Sequence, residues 1–537
     1  MSGASTTAGG ANASSAQATN PWLIAMVVSL ATFMEVLDTT IANVALRYIS
    51  GGLAVSSDQA SWVVTTYLVS NAIVLVASSY FSERFGRRRF YLLCLATFTI
   101  ASILCGLSWN LEALLLFRVI QGFAGGGMVP TSQAILADAF PPAKRGQAFA
   151  MFGVAVVVAP VVGPTLGGYL SDNLSWHWCF LINGPVGVFA FALVYALLKE
   201  TPDVERKRQE FRKKGIRFDV VGFLLVATFL GALELVLDRG QTEDWFGSNF
   251  IIVATVICAL AFLLAIPWVL TKANPIIDGR LLGTRQFGSC FIVMMATGAI
   301  LIATTQFIPE VVQQNYGYTA TWAGLALSPG GIVTMAMMFV AGRVNSLIQP
   351  KYLIAIGSAI IAVSMWQLTR LYPGLNFGFF VWSRLYIGLG LPLIFIPITS
   401  ASYYGLRPDQ TNQASAMINA ARNIGGSIGV CIASNVLAHR EQWHQSRLVE
   451  HIVPSSPAYH ETMQTMSRYF SEKGATTADA QSQATAWIGQ QVQTQASFLA
   501  YIDVFHVLML IVLCAIPLAL ILSNVDLKDG GGGGGMH

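Results

Sequence analysis

The sequence predicts an all-α polytopic membrane protein with fourteen transmembrane helices, arranged as two six-helix bundles and a two-helix insert. Three observations carry that expectation. Of 537 residues, 54% are hydrophobic and only 11% are charged, whereas a water-soluble domain carries about 25% charge. The apolar residues gather into long charge-poor runs, each close to the roughly 20 residues that cross a bilayer as a helix. The two ends of the chain also match one another at a constant offset. Soluble enzymes, nucleic-acid binders and disulfide scaffolds are disfavoured from the outset.

In chain order, residues 1–20 are rich in Ala, Ser, Thr and Gly and uncharged. They lack the basic segment of a cleaved signal peptide, and are expected to form a disordered cytosolic tail. Runs bounded by charge, Pro or Gly give spans at 22–46, 60–81, 90–108, 111–136, 148–170 and 179–198, which make the N-terminal bundle, 21–198. Residues 199–286 hold a basic cytosolic loop, Lys199 to Arg217, and the insert, with spans at 219–237 and 249–271. The C-terminal bundle, 287–523, takes spans at 287–309, 322–341, 352–371, 377–402, 412–438 and 500–523. Residues 524–537 are a Gly-rich cytosolic tail. With the N-terminus in the cytosol, 21 of the 31 Lys and Arg residues fall in cytosolic segments, so the positive-inside rule places both termini there. Six of the seven cysteines lie inside apolar runs and none forms a CxxC pair, so they read as small core thiols.

An offset of 266 residues aligns the two bundles: Arg118 and Gly122 fall on Arg384 and Gly388, Gln147, Ala148, Ala150 and Met151 on Gln413, Ala414, Ala416 and Met417, and Gly163 on Gly429. Span starts coincide at the same offset. Two parallel six-helix halves around a cavity are an architecture for alternating access in secondary transport.

Specific motifs add a resemblance. Ser82-Glu83-Arg84-Phe85-Gly86-Arg87-Arg88-Arg89 resembles the loop between spans two and three of the major facilitator superfamily. Leu116 to Gly122 resembles the fourth-span motif of its proton-coupled members, and Gly153 to Gly168 the fifth-span antiporter motif. Leu37-Asp38-Thr39-Thr40-Ile41-Ala42-Asn43-Val44-Ala45 is similar to the first-span signature of the fourteen-span drug:proton antiporters, the EmrB-type exporters among them; Trp322–Ala326 and the Gly530–His537 end are similar to that branch as well. Departures are Arg47 where the family usually has Pro, Ser79 where the hairpin usually has Gly, and Glu83 in place of Asp. The resemblance covers essentially the whole chain. It implies the major facilitator fold, no cofactor beyond the proton gradient, and an inner-membrane location. It further implies small amphipathic organic substrates, protons and the lipid bilayer as partners, with a periplasmic adaptor of the EmrA type and an outer-membrane channel of the TolC type.

An ionisable side chain at membrane depth costs at least about 2.5–3.5 kcal/mol, so Glu35, Asp38 and Arg118 need a role. Glu35 and Asp38 share one helical face and are expected to form a paired carboxylate site for proton coupling, tuned by Arg118 through burial and a neighbouring cation. A permanent Asp38–Arg118 ion pair holding two helices together is the alternative. Gly153, Pro160, Gly163, Pro164, Gly167 and Gly168 make a bent, small-residue helix, read as a hinge or a seal between halves over generic close packing. Glu83, Arg84, Gly86 and Arg87 combine a topology anchor with the gate that the resemblance implies, in which Glu83 and Arg84 bridge helix ends. Substrate contacts are expected from polar or aromatic groups on inward faces: Asn43, Tyr67, Asn71, Gln121, Phe307, Gln313 and Asn419. Arg384 is a relic of duplication or a working charge; Arg422 is expected at the cavity or the seam, and Glu234 and Asp238 at the membrane interface.

Residues 439–499 read as a polar periplasmic loop with two short amphipathic helices, one carrying Tyr459, Met463, Met466 and Phe470, the other Trp487, Ile488 and Val492. The first stripe is the expected adaptor-docking surface; a helix lying on the membrane surface would look the same. The loop histidines are too irregularly spaced for a metal site. The function expected is proton-driven export of amphipathic drugs and toxic compounds by alternating access. A dedicated metabolite exporter or importer is the alternative within transport. A membrane-embedded enzyme or receptor is disfavoured, since no HExxH, GxSxG or GxGxxG motif occurs in its required context.

Overall fold

A computed structural model describes residues 20–198, 205, 209, 218–272, 275–406 and 410–524. The expected tails at 1–19 and 525–537 and nearly all of the basic loop at 199–217 lie outside the described residues. Fifteen helices in chain order carry the fold: α1 Pro21–Gly52, α2 Ser57–Phe85, α3 Arg87–Gly106, α4 Leu111–Ala139, α5 Pro142–Asn173, α6 Trp178–Leu197, α7 Val220–Arg239, α8 Asn249–Thr271, α9 Arg285–Gln314, α10 Ala320–Val344, α11 Pro350–Leu368, α12 Phe377–Ala401, α13 Thr411–Glu450, α14 Pro457–Glu472 and α15 Thr477–Leu520.

Thirteen of the described helices are long and apolar enough to cross a membrane. The fourteenth expected span lies in α13, whose Asn419, Arg422, Asn423, Ser427 and Asn435 keep it below that apolarity. Its polar groups are tolerated because they face other helices: Asn419 is buried beside α4 and Ser427 meets α7. Helix ends follow local chemistry. Ser56 and Gln59 form a reciprocal capping box at the start of α2, and the Asn110 and Asn376 side chains cap α4 and α12. Gly86 breaks α2 from α3 at a φ of 91°, a conformation glycine adopts without a Cβ penalty.

The repeat is reproduced in packing. In the N-terminal half α1 lies on α5, α2 on α4 and α3 on both α4 and α6; in the C-terminal half α9 lies on α13, α10 on α12 and α11 on both α12 and α15. The halves meet mainly where α5 lies along α10, with α2 and α4 touching α13. The insert hairpin, α7 and α8, docks on the outside. Helix α8 leaves Val253, Val256, Leu260, Leu263 and Leu264 exposed, as a lipid-facing helix does, while α7 turns inward onto α2 and α13.

The region 439–499 corrects the expectation of a separate loop. Residues 439–450 continue α13, 477–499 open α15, and only α14 is a short independent helix. At 1.5 Å per residue α13 and α15 run about 60 and 66 Å, far beyond a hydrocarbon core of about 30 Å, so their ends project as a helical arm from the face opposite Gly86. Trp487, Ile488 and Val492 therefore belong to α15 and not to a short amphipathic helix.

Candidate proton site and inter-bundle seam

Helix α1 places Glu35 and Asp38 one turn apart, and both are buried, 6% and 1% exposed. Their hydrogen-bond partners differ, and Tyr67 lies against both clusters. Asp38 points into its own bundle. Its Oδ2 accepts from Arg118 Nη1 at 2.6 Å, and its Oδ1 accepts from Gln121 Nε2 at 2.9 Å and Asn183 Nδ2 at 2.8 Å. Arg118 is fully buried, donates from Nε to the Val63 carbonyl at 3.0 Å and from Nη1 to Gln121 Oε1 at 2.9 Å, and lies 4.3 Å over the Tyr67 ring. Helices α4 and α6 thus converge on the carboxylate of α1, and α2 holds its arginine. Arg118 Nη2 is buried without a partner, a reserve donor at the site.

Glu35 points the other way. Its Oε1 accepts from Tyr67 Oη at 3.1 Å and Asn71 Nδ2 at 3.3 Å, and the cation acting on it is Arg422, on α13 of the opposite bundle. Gly125 makes room for this cluster: a Cβ there would lie 2.6 Å from Tyr67 Oη and 3.3 Å from Glu35 Oε1. One carboxylate is therefore closed within a bundle by a direct ion pair, and its neighbour looks across the seam to a cation that moves with the other half.

The expected substrate contacts are scattered. Gln121, Tyr67 and Asn71 serve the two carboxylates. Asn419 donates to Gln133 Oε1 on α4 at 2.7 Å, beside Ser415 Oγ, which donates to the same oxygen at 2.9 Å. Phe307 is packed in the C-terminal core, and Asn43 and Gln313 are exposed near helix ends. Arg384 is buried and reaches Thr304 Oγ1 at 3.4 Å; unlike Arg118 it has no acidic partner among the described residues.

The glycine-rich α5 corrects one expectation. Side chains at Gly163 and Gly167 would run into Thr40 and Ile41 of α1, so these two glycines pack within the N-terminal bundle. The contact with the other half comes from Gly153 against Met338 and from Thr165 and Val161 against Gly324 and Gly331 of α10. Pro160 and Pro164 lie inside α5, and Gly168 is buried. At the hairpin, Arg87 bridges helix ends: it pairs with Asp138 and donates to the Ala134 carbonyl at 2.6 Å near the end of α4. Arg84 is exposed and Glu83 half-buried. The docking stripe is not free: Tyr459, Met463, Met466 and Phe470 are half-buried, and α14 lies on α15, with Thr485 Oγ1 3.9 Å from Met463 Sδ.

Sequence reading missed Asn183, Gln133 and the depth of Glu234. Each is a polar residue within an apolar run, and that is the signal that could have found them. Asp238 is exposed at the end of α7, whereas Glu234 is buried against other helices. Glu234 is 6% exposed and accepts from Ser427 Oγ at 2.6 Å, and Asp238 accepts from Thr65.

The Major Facilitator Superfamily profile matches residues 28–430. The chain is 36% identical to the multidrug export protein EmrB of Escherichia coli K12, covering 96% of this chain and 98% of that one. It is 34% identical to the fatty acid resistance protein FarB of Neisseria gonorrhoeae, covering 95% and 97%. Among solved structures it resembles the proton:xylose symporter XylE, with a TM-score of 0.56 and 15% identity over 91% of this chain and 94% of that one. By profile, relatives and fold, the chain belongs to the major facilitator superfamily, in its EmrB-type multidrug-exporter family.

Proposed function

We propose that the chain is a proton-coupled antiporter that exports amphipathic drugs and toxic organic compounds across the inner membrane by alternating access, with both termini in the cytosol. The observation that carries the reading is the Asp38 site: a buried carboxylate held by Arg118, Gln121 and Asn183, one helical turn from a second buried carboxylate, Glu35. Proton uptake by Asp38 neutralises one partner of a buried ion pair and leaves Arg118 to find new acceptors. Breaking such a pair costs about 3–5 kcal/mol, enough to shift α1 against α4 and α6. Glu35 transmits the change across the seam, because its attraction to Arg422 depends on its charge and on how closely the bundles approach. Substrate occupies the space between bundles in the state that is open. One proton moving through 100 mV yields about 2.3 kcal/mol, which supports a gradient of more than tenfold for a neutral compound.

The projecting helical arm of α13, α14 and α15 and the kinship with EmrB support docking of an adaptor of the EmrA type leading to a channel of the TolC type. Inverted vesicles energised by a pH gradient test the transport reading. Drug accumulation that collapses with the gradient and is absent in Asp38→Asn supports it; accumulation independent of the gradient contradicts it.

A further inference from the structure

Helix α7 is tied differently to the two bundles. At its end the Arg239 guanidinium, 1% exposed, clamps the start of α2: Nη2 donates to Asp58 Oδ1 at 2.6 Å and to Glu243 Oε1 at 2.9 Å, Nη1 bonds Ser61, and the group lies 4.8 Å over the Trp62 ring. The preceding residue, Asp238, accepts from Thr65, also on α2. These bonds fix the insert to the N-terminal half. Toward the C-terminal half, Ser427 Oγ donates to Glu234 Oε1 at 2.6 Å. Ser427 also reaches the Asn423 carbonyl one turn back, so it stays anchored to α13. When the bundles rock, Glu234 moves with one body and Ser427 with the other.

The charge balance around Glu234 differs from that at Asp38. Among the described residues no cation pairs with Glu234; the nearest cation on its own helix, Arg239, is engaged by Asp58 and Glu243. The groups that act on it are Ser427 on α13 and Asp238 on α7, the latter held by Thr65 on α2 and near Cys431 on α13. None supplies positive charge. Glu234 lies five residues before the end of α7 and is 6% exposed, packed where an ionised carboxylate needs a cation or water.

We propose that Glu234 is a further proton-carrying residue of the transporter, protonated while it accepts from Ser427 in the closed α7–α13 contact and ionised when that contact parts. The balance is simple. Opening admits water beside the carboxyl, the O–H proton passes to that water, and closure requires its return, so the insert couples seam closure to proton uptake. This rests on the proton-coupled reading above but uses a residue outside the Asp38 site. It also gives the two-helix insert a working part beyond filling space beside the bundles.

Two measurements on the full chain test it. In the reconstituted protein at pH 7, the infrared difference between wild type and Glu234→Gln should contain the C=O stretch of one protonated carboxyl; its absence overturns the assignment. In inverted vesicles with ethidium as the probe, Glu234→Gln, which keeps an acceptor for Ser427, should lower gradient-driven flux at least tenfold and flatten its pH dependence while ethidium exchange at zero gradient persists. Glu234→Asp should restore part of the driven flux. Driven flux and pH profile equal to wild type in Glu234→Gln overturn the proposal, as does loss of exchange together with driven flux, which would mark a purely structural bond. If wild-type ethidium flux ignores the gradient, the proton-coupled reading fails instead, and the infrared band still decides whether Glu234 carries a proton.

Discussion

Arg118→Lys keeps the positive charge beside Asp38 and removes the planar fork that serves three acceptors at once. Lysine can replace the 2.6 Å contact with Asp38, but it cannot also donate to the Val63 carbonyl from an Nε or lie flat over Tyr67. A hydrogen bond from a charged group contributes about 1.5–3 kcal/mol, and a desolvated cation over an aromatic ring about 0.5–2 kcal/mol. The loss is therefore about 2–5 kcal/mol. Part of it appears as lower stability and part as a looser hold on the ionised Asp38. The transport pH profile should therefore change and the driven flux fall. The assay is gradient-driven flux in inverted vesicles from pH 6 to 9 (about three units), beside thermal unfolding of the purified protein. Arg118→Lys with the wild-type pH profile and unfolding temperature would refute the reasoning, since no other described residue takes over those contacts.

Three further outcomes follow from the packing. Gly425→Val places a side chain into the Met295 backbone of α9, so α9 and α13 must separate; overpacking costs about 1–3 kcal/mol, and the unfolding temperature should fall, an unchanged value marking a looser interface. Arg87→Ala removes the Asp138 pair and the Ala134 bond, with an expected tenfold or greater drop in turnover at unchanged substrate affinity; because Asp138→Ala removes the same pair, the double variant should be no worse than either single one, and additive losses would contradict the gate. Replacing Tyr459, Met463, Met466 and Phe470 by Ser should loosen α14 from α15, abolish whole-cell drug resistance and spare vesicle transport. Full resistance with undiminished adaptor pull-down would remove the arm from adaptor binding.

The repeat at offset 266 and the long apolar runs sufficed for the bundles, because span length and small-residue contacts are encoded locally. Asp38 and Arg118 were legible for the same reason: a charge inside a span stands out against its neighbours. Their geometry was not. Spacing put Glu35 and Asp38 on one face, yet which way each side chain turns depends on Asn183, 145 residues away on α6, and on Tyr67 and Asn71 of α2. The substrate candidates failed similarly, since Gln121 looks like a cavity amide until Asp38 and Arg118 are seen to engage it from both sides. Polar residues 439–499 read as a loop because a helix leaving the membrane loses the hydrophobic contrast that marks a span. For the insert, the near-apolar sequence of α7 did not reveal that Glu234 meets Ser427 of α13.

The central claim is that proton uptake at Asp38 drives export, and it is tested most directly by following protons and drug together in proteoliposomes containing wild type or Asp38→Asn. Wild type should move protons against a drug gradient and drug against a pH gradient. Asp38→Asn, isosteric and unable to ionise, should bind drug and exchange it at equilibrium but show neither coupled movement. Coupled movement at the wild-type rate in Asp38→Asn would contradict the account.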